Sequence, residues 1–352
     1  MKTCVALLVA AVATTVQAWW DNGHMLVAEV ASQALAPNDL ATINSLLSQY
    51  DDAFPNTGSV TTAAIWADLV KCDSIVSTYC PSTTTPALKM LDNWHFIDLP
   101  LNVNGSDYQG LTSANGDALV AASLGGQAYE IMTKTFTFFG KTQSSHAANW
   151  ALRMFIHIFG DIQNPMHDVA GVSNVLPAGD AGGNSFLFNS PCPSTNLHAL
   201  WDSVGAKYGT VNWSPSFTVG SPDYTALQKN ATYLATKHAN LTDSLNFAAL
   251  KDVDYATFTA AMNNKPSKVL GNILESYDNA RQVAYKNIDL NCQLDAKGKC
   301  FNPCPSQAYY DSVVETSEKQ IALGGKRLAV ILTQFARQIR TLNLATPTKP
   351  SC

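Results

Sequence analysis

Ile156-His-Ile-Phe-Gly-Asp-Ile-Gln-Asn-Pro-Met-His-Asp168 decides how this chain is read. His157 and Asp161 are four residues apart, so on a helix they share one face. His167 follows Pro165, which lacks an N–H and should kink or end that helix. Two imidazoles and a carboxylate can thus converge from a helix and the turn after it, as in many zinc sites. The segment alone also fits a histidine satisfied inside an apolar core, so the rest of the chain must decide.

The surrounding periodicity is helical. Apolar residues recur at spacings of three and four through His24–Leu35, Asp39–Leu47, Ala118–Phe138, His146–Phe159, Tyr224–Leu250, Ser267–Asn287 and Gln307–Leu342. Pro37-Asn38 and Pro266-Ser267 are suitable starts, and Gly324-Gly325 marks a bend in the last segment rather than a stop. Strand-like alternation is scarce. Loops are expected at Asp51–Val60, Cys80–Pro86, Leu101–Gly110, Ala170–Thr195 and Cys292–Pro305. With no Gly/Ser linker, charge block or internal repeat, the sequence predicts an all-α chain: one large, mostly helical domain over residues 19–345 with few or no strands, then a polar tail over 346–352.

Composition narrows the setting. The chain has 352 residues, 46% of them hydrophobic and only 14% charged, a balance that suits an exported protein. Met1–Ala18 has the layout of a secretory signal: Lys2, an apolar run from Cys4 to Ala13, and small residues at Val16-Gln17-Ala18 for cleavage. That run is too short to span a bilayer, and no later segment does better. Cleavage would leave a formal charge of about −6 and seven cysteines: Cys72, Cys80, Cys192, Cys292, Cys300, Cys304 and Cys352. In an exported chain most of these should pair. Cys72 and Cys80 can staple one loop; Cys292, Cys300 and Cys304 suggest a second stapled region, with the connectivity open. N-glycans are expected at Asn104, Asn230 and Asn240, and less readily at Asn212, where Pro215 follows the acceptor Ser214.

Of the seven histidines, five stand in metal-like settings. His198 and Asp202 repeat the spacing of His157 and Asp161; Asp68 sits in Ile-Trp-Ala-Asp, and His95 in Asn-Trp-His-Phe-Ile-Asp. His24 lies five residues after Trp19, which cleavage would expose. A free α-amine has a pKa near 8 and can cede its proton to a metal, chelating together with the carbonyl of the same residue; packing alone also explains Trp19. His146 and His238 are read as ordinary surface or capping residues.

Taken in order, Trp19-Trp-Asp-Asn-Gly-His24, Trp66-Ala-Asp68 with Lys71, Trp94-His-Phe-Ile-Asp98, His157 to His167, Gly182-Gly-Asn184, His198 to Asp202, Glu275 to Ala280 and Gly325 to Ala329 resemble the S1/P1 nuclease family. The resemblance implies the phospholipase C/P1 nuclease fold and a secreted, trinuclear-zinc enzyme that cuts single-stranded DNA and RNA to 5′-nucleotides, with 3′-nucleotides as further substrates. It implies that Asp68, His95, His157 and Asp161 hold one zinc, that His167, His198 and Asp202 hold a second, and that the Trp19 amine and carbonyl, His24 and Asp161 hold a third. Asp68 and Asp161 are thereby catalytic, and Lys71 both assists catalysis and contacts the phosphate. Phe96 and Asp98 would stack on and hydrogen-bond a nucleobase, with Asn184 lining the same pocket; the residues by themselves fit core packing for Phe96 and a turn before Pro100 for Asp98. Three zincs against three carboxylates leave a cleft of roughly +3, enough to draw a polyanion to an acidic chain. A monomer is expected. The alternatives are a zinc-dependent phospholipase C of the same fold and a catalytically silent, secreted zinc-binding protein. Those lipases use a glutamate where Asp202 stands and a longer gap than Trp19 to His24.

Overall fold

The computed structural model describes residues 19–50, 54–71, 89–102, 108–291 and 300–345. Expectations for the signal segment, Cys72, Cys80, Cys292, Cys352, Asn104 and the tail therefore lie outside the described residues. The α-helices are α1 (Asp21–Ala34), α2 (Pro37–Leu47), α3 (Val60–Ala63), α4 (Trp66–Leu69), α5 (Gly116–Ala121), α6 (Ala128–Phe139), α7 (Ser145–Asp161), α8 (Pro165–Asp168), α9 (Leu197–Asp202), α10 (Pro222–Lys237), α11 (Tyr255–Asn263), α12 (Lys268–Asn279) and α13 (Gln307–Thr341). Among the described residues four short strands, β1 (Leu99–Asn102), β2 (Val169–Val172), β3 (Phe186–Phe188) and β4 (Cys300–Asn302), form two parallel pairs, β1 with β2 and β3 with β4. The chain is a mostly helical fold, as its periodicity predicts. Among the described residues no helix is long and apolar enough to cross a membrane.

α13 runs 35 residues along α1, α2 and α10. Gly324-Gly325 does not stop it; the pair lies inside the helix. A Cβ at Gly324 would come within 2.5 Å of Gln163, and one at Gly325 within 2.4 Å of Val30, so the glycines let α13 close directly onto α1 and the turn after α7. Phe335 of α13 stacks on Phe139 of α6 at 4.5 Å and meets Phe155 of α7 edge-on at 5.2 Å, joining three helices in one aromatic core.

Three expected helices are shorter than their periodicity suggests. Ala118–Phe138 breaks between α5 and α6, where Gly126 takes φ 83° with its backbone against Phe96. Tyr224–Leu250 stops at Lys237; a 3₁₀ turn at Phe247–Leu250 follows Asn246, which takes φ 49°. Ser267–Asn287 leaves the α-form after Asn279 for a π-helical turn over Ala280–Ala284. α9 and α11 are too short for a three-four pattern to accumulate and lie outside the expected segments. Of the asparagines in glycan sequons, Asn212 and Asn240 are exposed and Asn230 is half-buried.

Candidate metal centre

α7 positions the first residues. It starts on Ser144, whose hydroxyl accepts from Ala147 N–H, and its four-residue repeat puts His157 and Asp161 on one buried face at its C-terminal end. Pro165 does not kink α7, which has already ended at Asp161. It begins α8 instead, with Asn164 capping Met166 N–H, the position a proline suits best. That short turn brings His167 back toward Asp161. Asn164 also donates through Nδ2 to Asp202 Oδ1 at 2.7 Å, tying α8 to α9. α9 is capped by Asn196 and presents His198 and Asp202 one turn apart. His95 arrives on the segment before β1, held by Ile97 N–H donating to His167 C=O at 2.8 Å. Asp68 comes from α4 and His24 from α1, where Gly160 lacks the Cβ that would stand 2.8 Å from His24 Nδ1.

Their ligand atoms converge. Asp161 Oδ2 lies 3.2 Å from His95 Nδ1 and 3.4 Å from His157 Nε2, and its Oδ1 lies 3.2 Å from His24 Nε2. Asp68 stands 3.7 Å from His157 Nε2 and 3.8 Å from His95 Nδ1. Farther along, Asp202 is 3.2 Å from His198 Nε2 and 3.7 Å from His167 Nε2. For bonds of 2.0–2.1 Å, the edge of a tetrahedron around zinc is about 3.3 Å, so these spacings suit ligands facing a shared cation. His24 stacks on His157 at 3.9 Å, which also puts it within reach of Asp68.

Polar satisfaction points the same way. His24 Nε2, both Asp161 oxygens and His167 Nε2 are buried without a hydrogen-bond partner, a costly arrangement unless something else is bound there. The opposite nitrogens of three rings are engaged: Nδ1 of His157 donates to Ala64 C=O, Nδ1 of His167 to His95 C=O at 2.8 Å, and Nδ1 of His198 to Gly182 C=O at 2.7 Å. A carbonyl can only accept, so each Nδ1 carries the proton and each Nε2 offers a lone pair inward, the outer-shell pattern of metal-binding histidines. Burial, reinforced by neighbouring histidines, holds His24, His95 and His167 well below the usual imidazole range. Burial raises Asp161 and Asp202 well above the carboxylate range. The imidazoles are thus in the neutral form a metal needs, and a bound cation would restore the carboxylates' charge. Among the described residues the site offers nitrogen and oxygen and no thiolate, which suits hydrolytic rather than structural zinc.

Trp19 is buried, and its indole N–H donates to Gly160 C=O at 2.9 Å, beside Asp161. Lys71 is also buried, with Nζ 2.7 Å from Asp68 Oδ1. Burial alone would raise the Asp68 pKa, but the Lys71 ammonium and His157 together outweigh it and keep Asp68 low. Lys71 is therefore a partner of Asp68 before it is a contact for any phosphate.

Phe96 and Asp98 follow His95 on the segment that leads into β1. A Cβ on Gly125 would lie 3.4 Å from the Phe96 ring and 3.7 Å from Asp98 Oδ2, so one glycine faces both side chains. Asp98 is pushed up to about 7 by burial and then by the Asp180 carboxylate. Asp180 has no place in the sequence reading, yet it organises this wall. Fully buried, it accepts from Tyr285 O–H at 2.9 Å and Gly171 N–H at 2.8 Å. It thereby fixes the loop that bears Gly182 C=O, the acceptor for His198, and Asn184. The only hint in the sequence is an acid set among small residues in Ala178-Gly-Asp-Ala-Gly-Gly-Asn184. A further group of His238, Glu315 and Glu318 has metal-like spacing, but the Lys237 ammonium already bridges the two glutamates, 2.7 and 2.6 Å away. His238, read as a surface or capping residue, is the buried C-cap of α10.

Comparison with known proteins agrees with this geometry. The S1/P1 Nuclease family model matches residues 19–337. Nuclease S1 of Aspergillus oryzae is 28% identical over 333 residues, covering 93% of this chain and 95% of its own. Nuclease P1 of Penicillium citrinum is 25% identical over 327 residues, covering 88% and 95%, and Endonuclease 1 of Arabidopsis thaliana is 22% identical over 333 residues, covering 94% and 91%. A match of this extent, over a site assembled from α1, α4, α7, α8 and α9, places the chain in the S1/P1 nuclease family, and its activity is that of a nuclease.

Proposed function

We propose that this nuclease is an exported, three-zinc enzyme that cuts single-stranded DNA and RNA and leaves 5′-phosphates, with 3′-nucleotidase activity from the same centre. Asp68, His95, His157 and Asp161 would hold one ion; His167, His198 and Asp202 a second; and the Trp19 amine and carbonyl, His24 and Asp161 a third. When bound, zinc would supply Lewis acidity and a water acidified to near neutrality. The single observation that carries the proposal is the meeting of His24 Nε2 with both Asp161 oxygens, all buried without a hydrogen-bond partner, beside His157 Nε2.

The chain's own residues supply the rest. Asp161 turns one oxygen toward His24 and the other toward His95 and His157, as a bridging carboxylate must. Lys71 holds Asp68 ionised and in place. Phe96 offers a half-buried ring on which any base can stack once it has left a helix, and Asp98 and Asn184 offer hydrogen bonds to its edge. A duplex keeps its bases stacked, so single strands are preferred.

The test is digestion of matched single- and double-stranded DNA and of RNA by zinc-loaded protein, with the phosphate end identified. Single strands cut to 5′-phosphates, with activity lost to a chelator and restored by zinc, are expected. Faster turnover of phospholipid vesicles than of single-stranded DNA would favour a phospholipase C, and a zinc-loaded protein inert on every nucleic acid would leave a binding role only. Phe96→Ala should raise KM for oligonucleotides about 5- to 150-fold, matching ~1–3 kcal/mol of stacking, while sparing hydrolysis of a small phosphodiester. Equal losses on both would make Phe96 a packing residue.

A further inference from the structure

β3 and β4 pair in parallel, Phe186 beside Cys300 and Phe188 beside Asn302. The pairing continues one step past the strands, where Asn189 N–H donates to Asn302 C=O at 2.8 Å. Cys304 is thus carried alongside the segment that follows β3. Its thiol lies 3.2 Å from Pro191 C=O and 3.6 Å from Asn189 C=O, and it is in hydrogen-bonding contact with the thiol of Cys192. Cys192 is half-buried, with Sγ 3.5 Å from Tyr310 O–H on α13, and Cys304 is exposed. The two sulfurs are unbonded thiols here. Two stretches far apart in sequence meet at these cysteines because a strand pair aligns them.

We propose that Cys192 and Cys304 are a disulfide pair, a covalent clasp between the segment leading into α9 and the segment leading into α13. The redox chemistry is ordinary exchange with an external disulfide. The exposed Cys304 loses its proton, and its thiolate attacks the oxidant, breaking the oxidant's S–S bond and releasing one thiolate, which takes up a proton. The Cys192 thiolate then attacks Cys304 Sγ, displacing the second half of the oxidant. Two S–H bonds are lost, one S–S bond forms, and the two electrons and two protons leave as two reduced thiols.

This pairing revises the stapled region suggested by the spacing of Cys292, Cys300 and Cys304. The strand register brings Cys304 to Cys192, where proximity in sequence gave no signal. The clasp also has a functional direction. Four residues beyond Cys192, Asn196 caps α9, which carries His198 and Asp202. A bond at Cys192 limits how far the start of α9 can drift from α13, so it should help hold that half of the metal centre without touching it.

The experiment uses the full chain from Trp19, purified and equilibrated in a glutathione redox buffer, digested without reduction and mapped by mass spectrometry. A linked pair of peptides containing Cys192 and Cys304 is expected. Cys304 linked to Cys292 or Cys300, or both Cys192 and Cys304 alkylated by iodoacetamide without prior reduction, would overturn the proposal. Melting supplies a second readout. Cys192→Ser, Cys304→Ser and the double variant should share one lowered Tm, because losing either sulfur breaks the same bond. Dithiothreitol should bring a variant lacking every other cysteine down to the Tm of its own Cys192→Ser/Cys304→Ser version and leave that version unmoved. Equal responses to dithiothreitol would mean the thiols only pack.

Discussion

Asp161→Asn should abolish nuclease activity and at the same time stabilise the metal-free protein. The first effect follows from position: Asp161 comes within 3.4 Å of His24, His95 and His157 together. Asparagine keeps the shape but removes the charge that would bridge two cations, so turnover should fall at least about a thousandfold, the scale of several kcal/mol of lost charge stabilisation. The second effect follows from burial. Fully buried, and beside Asp68 and Asp202, Asp161 is raised well above the ordinary carboxylate range. Between the unfolded value near 4 and the raised folded value, the folded metal-free protein binds a proton that the unfolded chain has released. Stability contributed by Asp161 is therefore lost as pH rises through that window and is unaffected below it. Asparagine removes the dependence. With metal stripped by a chelator, the variant should melt higher than the parent at pH 7 and alike near pH 3; with zinc added, the order should reverse. A metal-free variant that melts lower than the parent at pH 7 would show that the carboxylate serves packing rather than cation binding.

The double effect also explains which parts of the site could be read from residues alone. His157 with Asp161 and His198 with Asp202 are legible because helical repeat fixes i and i+4 on one face whatever the tertiary structure. His167 is legible less directly: Pro165 signals a break, but only the structure shows that α7 ends before it and that the proline starts a new turn. His24 reaches Asp161 from the other end of the chain because Gly160 and the Gly324-Gly325 pair let α1, α7 and α13 pack closely, and no local pattern encodes that convergence. Its place in the cluster came from resemblance. Asp180 and the contact of Cys192 with Cys304 were illegible for another reason. Both depend on parallel strands of three or four residues, too short to alternate visibly and paired across long stretches of chain. Helix lengths failed where a left-handed residue interrupted a pattern that apolar spacing alone would have continued, as at Gly126 between α5 and α6.

An extended N-terminus should have the other large effect. The indole of Trp19 is buried, donates to Gly160 C=O, and lies so close to Gly23 that a Cβ there would come within 2.7 Å of Trp19 Cβ. The next residue is tied as well: Trp20 N–H donates to Asp202 C=O at 3.2 Å. Residue 19 is therefore pinned between the end of α7, beside Asp161, and the end of α9. If cleavage makes Trp19 the first residue, as proposed, this anchoring would limit the freedom usual at termini and let its amine serve as a ligand. Adding even one residue before Trp19 turns that amine into an amide, which is neither basic nor readily metallated at neutral pH. Protein beginning at Trp19 should bind three zincs and the extended form two, with activity lower by at least about a hundredfold. Proteolytic trimming to Trp19 should restore both, which separates loss of the amine from misfolding. Three zincs retained by the extended protein would remove the amine from the ligand set and leave Trp19 as an anchor only.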